Sequence, residues 1–163
     1  MKDLLYSLVI WLLALSPTVP FEAIYREASI EHGSLPWSLL AAQGYVESAG
    51  FNPLYVYGPL TGALGEKGVG QFMPGTWEEW GEGSPWDPRN AIHAQAKYLA
   101  WIDEYLCQMG LEVLTPGLTL LVYRHGPRGA LAHAARGWFP KSSRQYLKAI
   151  RDYRNLIKED NGE

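Results

Sequence analysis

Residues 35–53 read LPWSLLAAQGYVESAGFNP. The long apolar run in this stretch predicts a buried helix that ends near Glu47. Ser34 is a suitable N-cap for this helix, and Pro36 falls in its first turn. The predicted buried stripe is Leu39, Leu40, Gln43, Val46 and Glu47. Gln43 and Glu47 are therefore expected one turn apart on the same helix face.

The chain after Pro20 reads as further helices separated by glycine and proline. Apolar spacing and cap residues predict helices over about 21–31, 74–80, 88–109, 116–124, 127–136 and 142–157. Residues 50–70 carry too many glycines for a helix and predict a long loop, with a short β-hairpin around 55–64 as one conformation. Strand-type alternation is nearly absent, so the predicted fold class is mainly α.

Composition narrows the function. The 163 residues suit one domain, and a net charge of −3 without a basic block argues against nucleic acid as a partner. Seven Trp and ten Tyr suit either core packing or a groove in which rings stack on sugars. The single cysteine, Cys107, excludes an internal disulfide, and its apolar helical setting predicts a buried thiol.

No cofactor or metal site is predicted. His93, His125 and His133 lack the spacing of known metal-binding helices, and the glycines around Lys67 do not form a phosphate-binding loop. The sequence therefore offers neither a metal centre nor a nucleotide site.

The N-terminus differs from the rest of the chain. Residues 4–15, LLYSLVIWLLAL, follow Lys2 and precede Pro17. Twelve apolar residues fall short of a membrane span of about 20 but match a signal-peptide core. We therefore divide the chain into residues 1–20, a signal peptide or membrane anchor, and a domain over 21–163. An extra hydrophobic helix docked on that domain is the alternative.

Glu47 is a candidate acid by its position, but position alone favours an ordinary solvated glutamate at the helix end. A carboxylate at a helix C-terminus faces the negative end of the helix dipole. Partial burial against Tyr45, Val46 or Phe51 would disfavour ionisation further. Both effects raise the pKa, as a general acid near neutral pH requires. A solvated glutamate at a helix end is the ordinary alternative.

Five segments, in order, resemble the motifs of the soluble lytic transglycosylase family of the lysozyme-like superfamily. Residues 35–53 resemble its catalytic helix, which ends in Glu-Ser and leads to an aromatic-Asn-Pro turn. Residues 68–77, GVGQFMPGTW, resemble its glutamine motif. Residues 86–90, WDPRN, resemble its third motif, and 121–127, LVYRHGP, its fourth. Residues 146–150, YLKAI, resemble its late tyrosine helix.

The resemblance implies a lysozyme-like α-helical domain with a substrate groove and no cofactor, acting as a monomer on the peptidoglycan glycan strand. Glu47 would be the sole acid/base, cleaving the bond from N-acetylmuramic acid to N-acetylglucosamine and leaving 1,6-anhydromuramic ends. The residues implied to bind substrate are Gln71, Phe72, Met73, Tyr123, Tyr146 and Ser48. Among them, Tyr123 matches the tyrosine whose hydroxyl reaches the catalytic carboxylate.

The chain departs from the family pattern at the cleft. Gly62 occupies the position of the usual serine, and Glu66 adds a second carboxylate. Arg124 and His125 replace the usual Asn-Ala and add charge. These departures leave two alternatives open: a goose-type-like muramidase that hydrolyses the same bond, and a non-catalytic wall-binding module. Export to the periplasm or membrane fits either a bacterial or a phage-encoded protein, the latter virion-associated or acting in the host periplasm.

Overall fold

The computed structural model describes residues 19–111 and 116–161. Within these ranges the chain is helical, and its single β feature is a bridge between Lys67 and Phe72, so the mainly α prediction is confirmed. The helices are α1 (Glu22–Glu31), α2 (Trp37–Glu47), α3 (Pro53–Val56), α4 (Pro74–Trp80), α5 (Pro88–Gln108), α6 (Pro116–Ala135) and α7 (Lys141–Asn161).

Helix α2 lies at the centre of the fold. It packs most extensively against α7 and also contacts α1 and α5. Every residue from Trp37 to Gly44 is buried, so the predicted single stripe was too narrow. Glycine at position 44 lets the buried Tyr25 approach α2 closely. A Cβ at this position would lie 2.0 Å from the hydroxyl oxygen of Tyr25. A helix surrounded on all sides holds its last residue, Glu47, in a fixed place.

The predicted start of α2 was wrong. The helix begins at Trp37 with Pro36 as its N-cap, and no side chain caps it. Ser34 does not serve as the cap, and its buried hydroxyl has no hydrogen-bond partner among the described residues. Pro36 adopts an extended ψ of 140°, which separates Ser34 from the first helical turn.

The later helices follow the sequence prediction closely. The Asp87 side chain accepts a hydrogen bond from Asn90 N at 3.1 Å and caps α5. The two helices predicted around Pro127 are both present within α6, on either side of a kink at Gly126, whose φ of 70° and ψ of 164° are not helical. Proline has no N–H to continue the first segment, which accounts for the kink. Helix α7 buries Tyr146 and Ile150 on the predicted face.

The glycine-rich segment 50–70 contains a short helix and no hairpin. Asn52 caps α3 by accepting a hydrogen bond from Leu54 N at 3.0 Å, and Pro53 occupies the first turn. This Asn-Pro start favours a helix, which takes residues 55 and 56 out of the predicted hairpin. The prediction of a buried Cys107 thiol was also wrong, since this residue is exposed near the end of α5.

Of the predicted N-terminal segment, residues 1–20, the structure describes only residues 19 and 20. Residues 1–18 lie outside the described ranges, so the division at residue 20 stays a prediction. Within residues 19–111 and 116–161, none of the helices is long and apolar enough to cross a membrane.

Candidate active site

A cleft of about 600 Å³ opens beside the C-terminal end of α2. The segment 62–76 forms one side of it, and the middle of α6 forms the other. Its polar and charged lining residues are Glu47, Glu66, Gln71, Thr76, Tyr98, Tyr123, Arg124 and His125. The structure thus brings three of the predicted motifs together around Glu47.

Glu47 is held in the cleft by Tyr146. The tyrosine hydroxyl donates a hydrogen bond to Glu47 Oε1 at 2.5 Å, joining the end of α2 to α7. Among the described residues no donor reaches the second oxygen, Oε2. One carboxyl oxygen is therefore fixed by the protein, while the other remains available to a ligand in the cleft.

A chain of buried amides supports this tyrosine from behind. Gln43 Nε2 donates to the Tyr146 hydroxyl at 3.3 Å. Gln95 Nε2 in turn donates to Gln43 Oε1 at 2.9 Å and to the carbonyl of Leu40 at 3.1 Å. Both glutamines are fully buried, so their hydrogen bonds fix a single arrangement. Gln43 and Glu47 lie one turn apart on α2, and both form hydrogen bonds with the Tyr146 hydroxyl.

The surroundings of Glu47 favour its protonated form. Burial raises the pKa of this carboxyl from 4.5 to about 7. The hydrogen bond from Tyr146 and the positive charge of Arg124 oppose that rise, and the negative charge of Glu66 adds to it. Near neutral pH the carboxyl exists in both forms, so it can donate a proton and take one back.

Gln71, Phe72 and Met73, which the resemblance implies to bind substrate, line the cleft. Gln71 has a left-handed φ of 48°, and its Nε2 donates to the carbonyl of Gly68 at 2.8 Å. Phe72 is buried and packs edge-on against Trp77. Met73 is 40% exposed, so its side chain offers an apolar surface to whatever enters.

The roles of the two predicted tyrosines differ from those expected. The hydroxyl that reaches Glu47 belongs to Tyr146 and not to Tyr123. Tyr123 donates instead to the carbonyl of Gly70 at 2.7 Å. Gly70 permits this close approach, because a Cβ at that position would lie 2.9 Å from the Tyr123 hydroxyl and 2.7 Å from Cε2 of Phe72. This hydrogen bond joins the segment around Gly70 and Gln71 to α6, and Tyr123 also lines the cleft.

The structure does not bring Ser48 to the cleft. Its side chain is fully buried, and its hydroxyl donates to the carbonyl of Gly44 at 2.6 Å. The same oxygen accepts from Phe51 N at 3.1 Å. Both bonds are to the backbone, so Ser48 shapes the turn after α2 and not a ligand-binding surface.

Gly62 and Glu66 are the two positions before the glutamine motif at which the chain departs from the family pattern. The Glu66 carboxylate accepts a hydrogen bond from Leu64 N at 2.8 Å and lines the cleft. A Cβ on Gly62 would lie 2.3 Å from Glu66 Oε2 and 3.1 Å from Gln71 Oε1. The glycine therefore leaves room for the glutamate beside Gln71.

Arg124 brings positive charge to the cleft, whereas burial and the charge of Arg124 lower the pKa of His125 and favour its neutral form. Both line the cleft, and the Arg124 guanidinium lies 4.5 Å from the centre of the Tyr146 ring. His125 Nε2 is 2.8 Å from Ser143 Oγ.

Sequence reasoning missed Gln95, which supports Tyr146 through Gln43. Its only signal was a polar residue within the apolar stripe of α5.

Comparison with known proteins gives one partial similarity. No family model matches the chain, and no solved structure matches it. The chain is similar to the membrane-bound lytic murein transglycosylase F of Pseudomonas fluorescens, with 35% identity over 80 residues. The match covers 49% of this chain and 15% of that protein, so the chain spans a small part of its relative's length. Over about half of its length, then, the chain is similar to a lytic transglycosylase.

Proposed function

We propose that this protein is a peptidoglycan lytic transglycosylase whose acid/base is Glu47. The observation that carries the proposal is a carboxyl of pKa about 7 that lines a 600 Å³ cleft. A hydroxyl bond to Oε1 holds that carboxyl in place. The partial similarity to a lytic murein transglycosylase supports the same substrate, a glycan strand of murein.

The proposed reaction uses one carboxyl group twice. Protonated Glu47 donates its proton to the glycosidic oxygen between N-acetylmuramic acid and N-acetylglucosamine, and the bond to the anomeric carbon breaks. The 2-acetamido oxygen of the substrate stabilises the positive charge that develops there. Glu47, now ionised, takes the proton from the muramoyl 6-hydroxyl as that oxygen attacks the anomeric carbon. The product is a 1,6-anhydro end, and no water is consumed.

The neighbouring groups have supporting roles in this proposal. Tyr146 orients the carboxyl and stabilises its ionised form between the two proton transfers. Met73 and Phe72 provide an apolar surface beneath the sugars, and Gln71 offers an amide to their polar groups. Arg124 places a positive charge near the carboxylate that forms after the first step.

A goose-type-like muramidase is the second candidate, and Glu66 is the observation that favours it. This second carboxylate lines the same cleft and affects the pKa of Glu47. An ionised Glu66 that activated a water would convert the reaction into hydrolysis of the same bond. A non-catalytic wall-binding module is the remaining possibility, for which wild-type protein would release no fragments.

The cellular setting is proposed on two grounds. The predicted leader over residues 1–20 implies export to the periplasm or attachment to the membrane. The similar protein of Pseudomonas fluorescens is described as membrane-bound. Both fit a substrate that lies outside the cytoplasmic membrane.

The direct test is release of soluble fragments from purified peptidoglycan by wild type and by Glu47→Gln. We expect the variant to lose nearly all activity, because the amide cannot donate the proton. Tyr55→Phe, on a side chain outside the cleft lining, serves as the control and should digest like wild type. Fragment release that survives Glu47→Gln would refute the role of Glu47.

A further inference from the structure

A second cavity lies apart from the cleft. It measures about 350 Å³ and lies beside the C-terminal end of α1, the end of α4 and the first half of α5. It shares no lining residue with the cleft around Glu47. Two of the four histidines of the chain, His32 and His93, line it, and neither has a role in the proposed reaction.

Three potential metal ligands converge in this cavity. His32 Nε2 lies 3.2 Å from His93 Nδ1, and His93 Nδ1 lies 3.5 Å from Glu31 Oε2. One ligand atom from each of the three residues lies within 4.8 Å of the others. Only one of two ring nitrogens 3.2 Å apart can carry a hydrogen in the gap between them. At least one lone pair therefore points into the cluster.

We propose that Glu31, His32 and His93 bind a divalent transition-metal ion of the zinc class. Tetrahedral zinc has bonds of about 2.0–2.2 Å to nitrogen and oxygen, which separates neighbouring ligand atoms by roughly 3.3–3.6 Å. Of the two separations, 3.5 Å falls within this range and 3.2 Å lies just below it. The Glu31 side chain is 57% exposed, so it can rotate to complete the triangle. The cavity leaves room for a water as fourth ligand.

The charges around the cluster are compatible with a cation. Three carboxylates line the cavity, those of Glu27, Glu31 and Glu82, against two basic side chains. Arg89 is bound by Glu27 through two bonds of 2.7 and 2.8 Å, and Lys97 lies 3.6 Å from Glu82. Both positive charges are thus neutralised, and the carboxylate of Glu31 is left in excess. Helix α1 also directs its negative C-terminal end toward His32.

The opposite nitrogen of His93, Nε2, faces an ion pair. Arg89 Nη1, which can only donate, lies 3.5 Å from Nε2, and Glu27 Oε1 lies 3.9 Å from it, beyond hydrogen-bond distance. An ion on Nδ1 leaves the ring hydrogen on Nε2, so Arg89 must turn away from this nitrogen when the ion binds.

The ion would join two helices that support the active site. His32 directly precedes the turn into α2, and His93 lies two residues before Gln95 in the buried amide chain. Metal binding is therefore expected to stabilise the fold without entering the reaction, because an ion that binds only the folded state raises its melting temperature.

The test is a calorimetric titration of Zn²⁺ into the untagged, chelator-treated full chain. Cys107→Ser serves as the parent, so that the exposed thiol adds no ligand. We expect one ion per chain and a rise in melting temperature. His32→Gln and His93→Gln should each weaken binding by at least about 10-fold, because each removes one of the three ligands. His133→Gln, at a histidine outside this cavity, is the matched control and should bind as the parent does.

Two results would overturn the proposal. One is the absence of saturable 1:1 binding, which would leave the histidine pair as a hydrogen bond only. The other is His93→Gln binding as tightly as the parent. If either histidine variant fails to fold, Glu31→Gln keeps the test decisive, because this exposed side chain can be changed with little effect on packing. Retained affinity in a folded Glu31→Gln variant would equally contradict the site.

Discussion

The hydroxyl of Tyr146 donates a 2.5 Å hydrogen bond to Oε1 of Glu47, across 99 residues of chain. One partner ends α2 and the other lies in the first turns of α7. These two helices form the most extensive helix contact in the described structure. The geometry of the proposed acid/base is therefore set by the same packing that stabilises the fold.

Removal of this hydroxyl tests what it does to Glu47. The bond lowers the pKa of the carboxyl, so Tyr146→Phe should raise it further, by about one unit for a hydrogen bond to a charged group. Activity that needs protonated Glu47 falls as the pH rises through its pKa, so the alkaline limb of the pH–activity profile should move to higher pH. The maximal rate should fall roughly 10- to 100-fold, because the carboxyl is no longer held in place.

Tyr123→Phe is the matched control for this change. It removes a hydroxyl of the same cleft, but one that bonds to the carbonyl of Gly70. The alkaline limb should stay where it is in wild type, whatever the loss in rate. An equal displacement of the limb in both variants would show that Tyr146 has no specific effect on Glu47.

Glu66→Gln separates the two candidate reactions. The negative charge of Glu66 raises the pKa of Glu47, so the variant should move the alkaline limb of the profile slightly to lower pH. If Glu47 works alone, most of the rate and the anhydro products remain. Loss of nearly all activity, with hydrolysed products from wild type, would favour the muramidase.

Glu47 should cost the protein stability at neutral and alkaline pH. The folded state binds the carboxyl proton more tightly than the unfolded chain, since the pKa rises from 4.5 to about 7. The stability of wild type should therefore decrease as the pH rises through this window. Glu47→Gln removes the effect, and at pH 8 it should be more stable than wild type by up to roughly 3 kcal/mol.

Denaturant unfolding at pH 5 and pH 8 measures this difference. The gain from Glu47→Gln should be small at pH 5. At this pH the folded carboxyl, with a pKa of about 7, is still protonated, so wild type has lost little stability. A gain of equal size at both pH values would mean that the effect is not linked to the titration of Glu47.

Gly70→Ala should disturb the cleft floor. The new Cβ would lie 2.7 Å from the Phe72 ring and 2.9 Å from the Tyr123 hydroxyl, so one of these groups must move. We expect a loss of about 1–3 kcal/mol in the free energy of unfolding, as for overpacked sites, together with reduced activity. Gly75→Ala in α4 is the control, because its Cβ would meet nothing within 4 Å. It should be neutral or stabilising by up to about 1 kcal/mol.

The sequence predicted those parts of the fold that depend on local signals. Asp87 before Pro88 marked the start of α5, and the apolar spacing in α7 marked its buried face. The start of α2 was misplaced, because Ser34 looked like a cap while Pro36 held the chain extended. The expected hairpin around 55–64 failed for a similar reason: glycines suggested a turn, but the Asn52 cap started a helix.

In the candidate site, too, the sequence predicted what depends on neighbouring residues and missed what depends on packing between distant segments. Glu47 and Gln71 were found from motifs whose residues are close in sequence. The partners that tune Glu47 come from distant segments, and only the packing of α2 against α7 decides which tyrosine reaches the carboxyl. Periodicity could not rank Tyr146 over Tyr123. The pairing of His32 with His93, 61 residues apart, was invisible to spacing rules for the same reason.

Mass spectrometry of the fragments released from purified peptidoglycan tests the central claim most directly. A lytic transglycosylase with Glu47 as its acid/base leaves 1,6-anhydromuramic ends, which are one water lighter than reducing ends. We predict these lighter ends from wild type, no incorporation of oxygen from ¹⁸O-labelled water, and no fragments from Glu47→Gln. Reducing ends that carry the label, or fragments that persist in Glu47→Gln, would contradict the account.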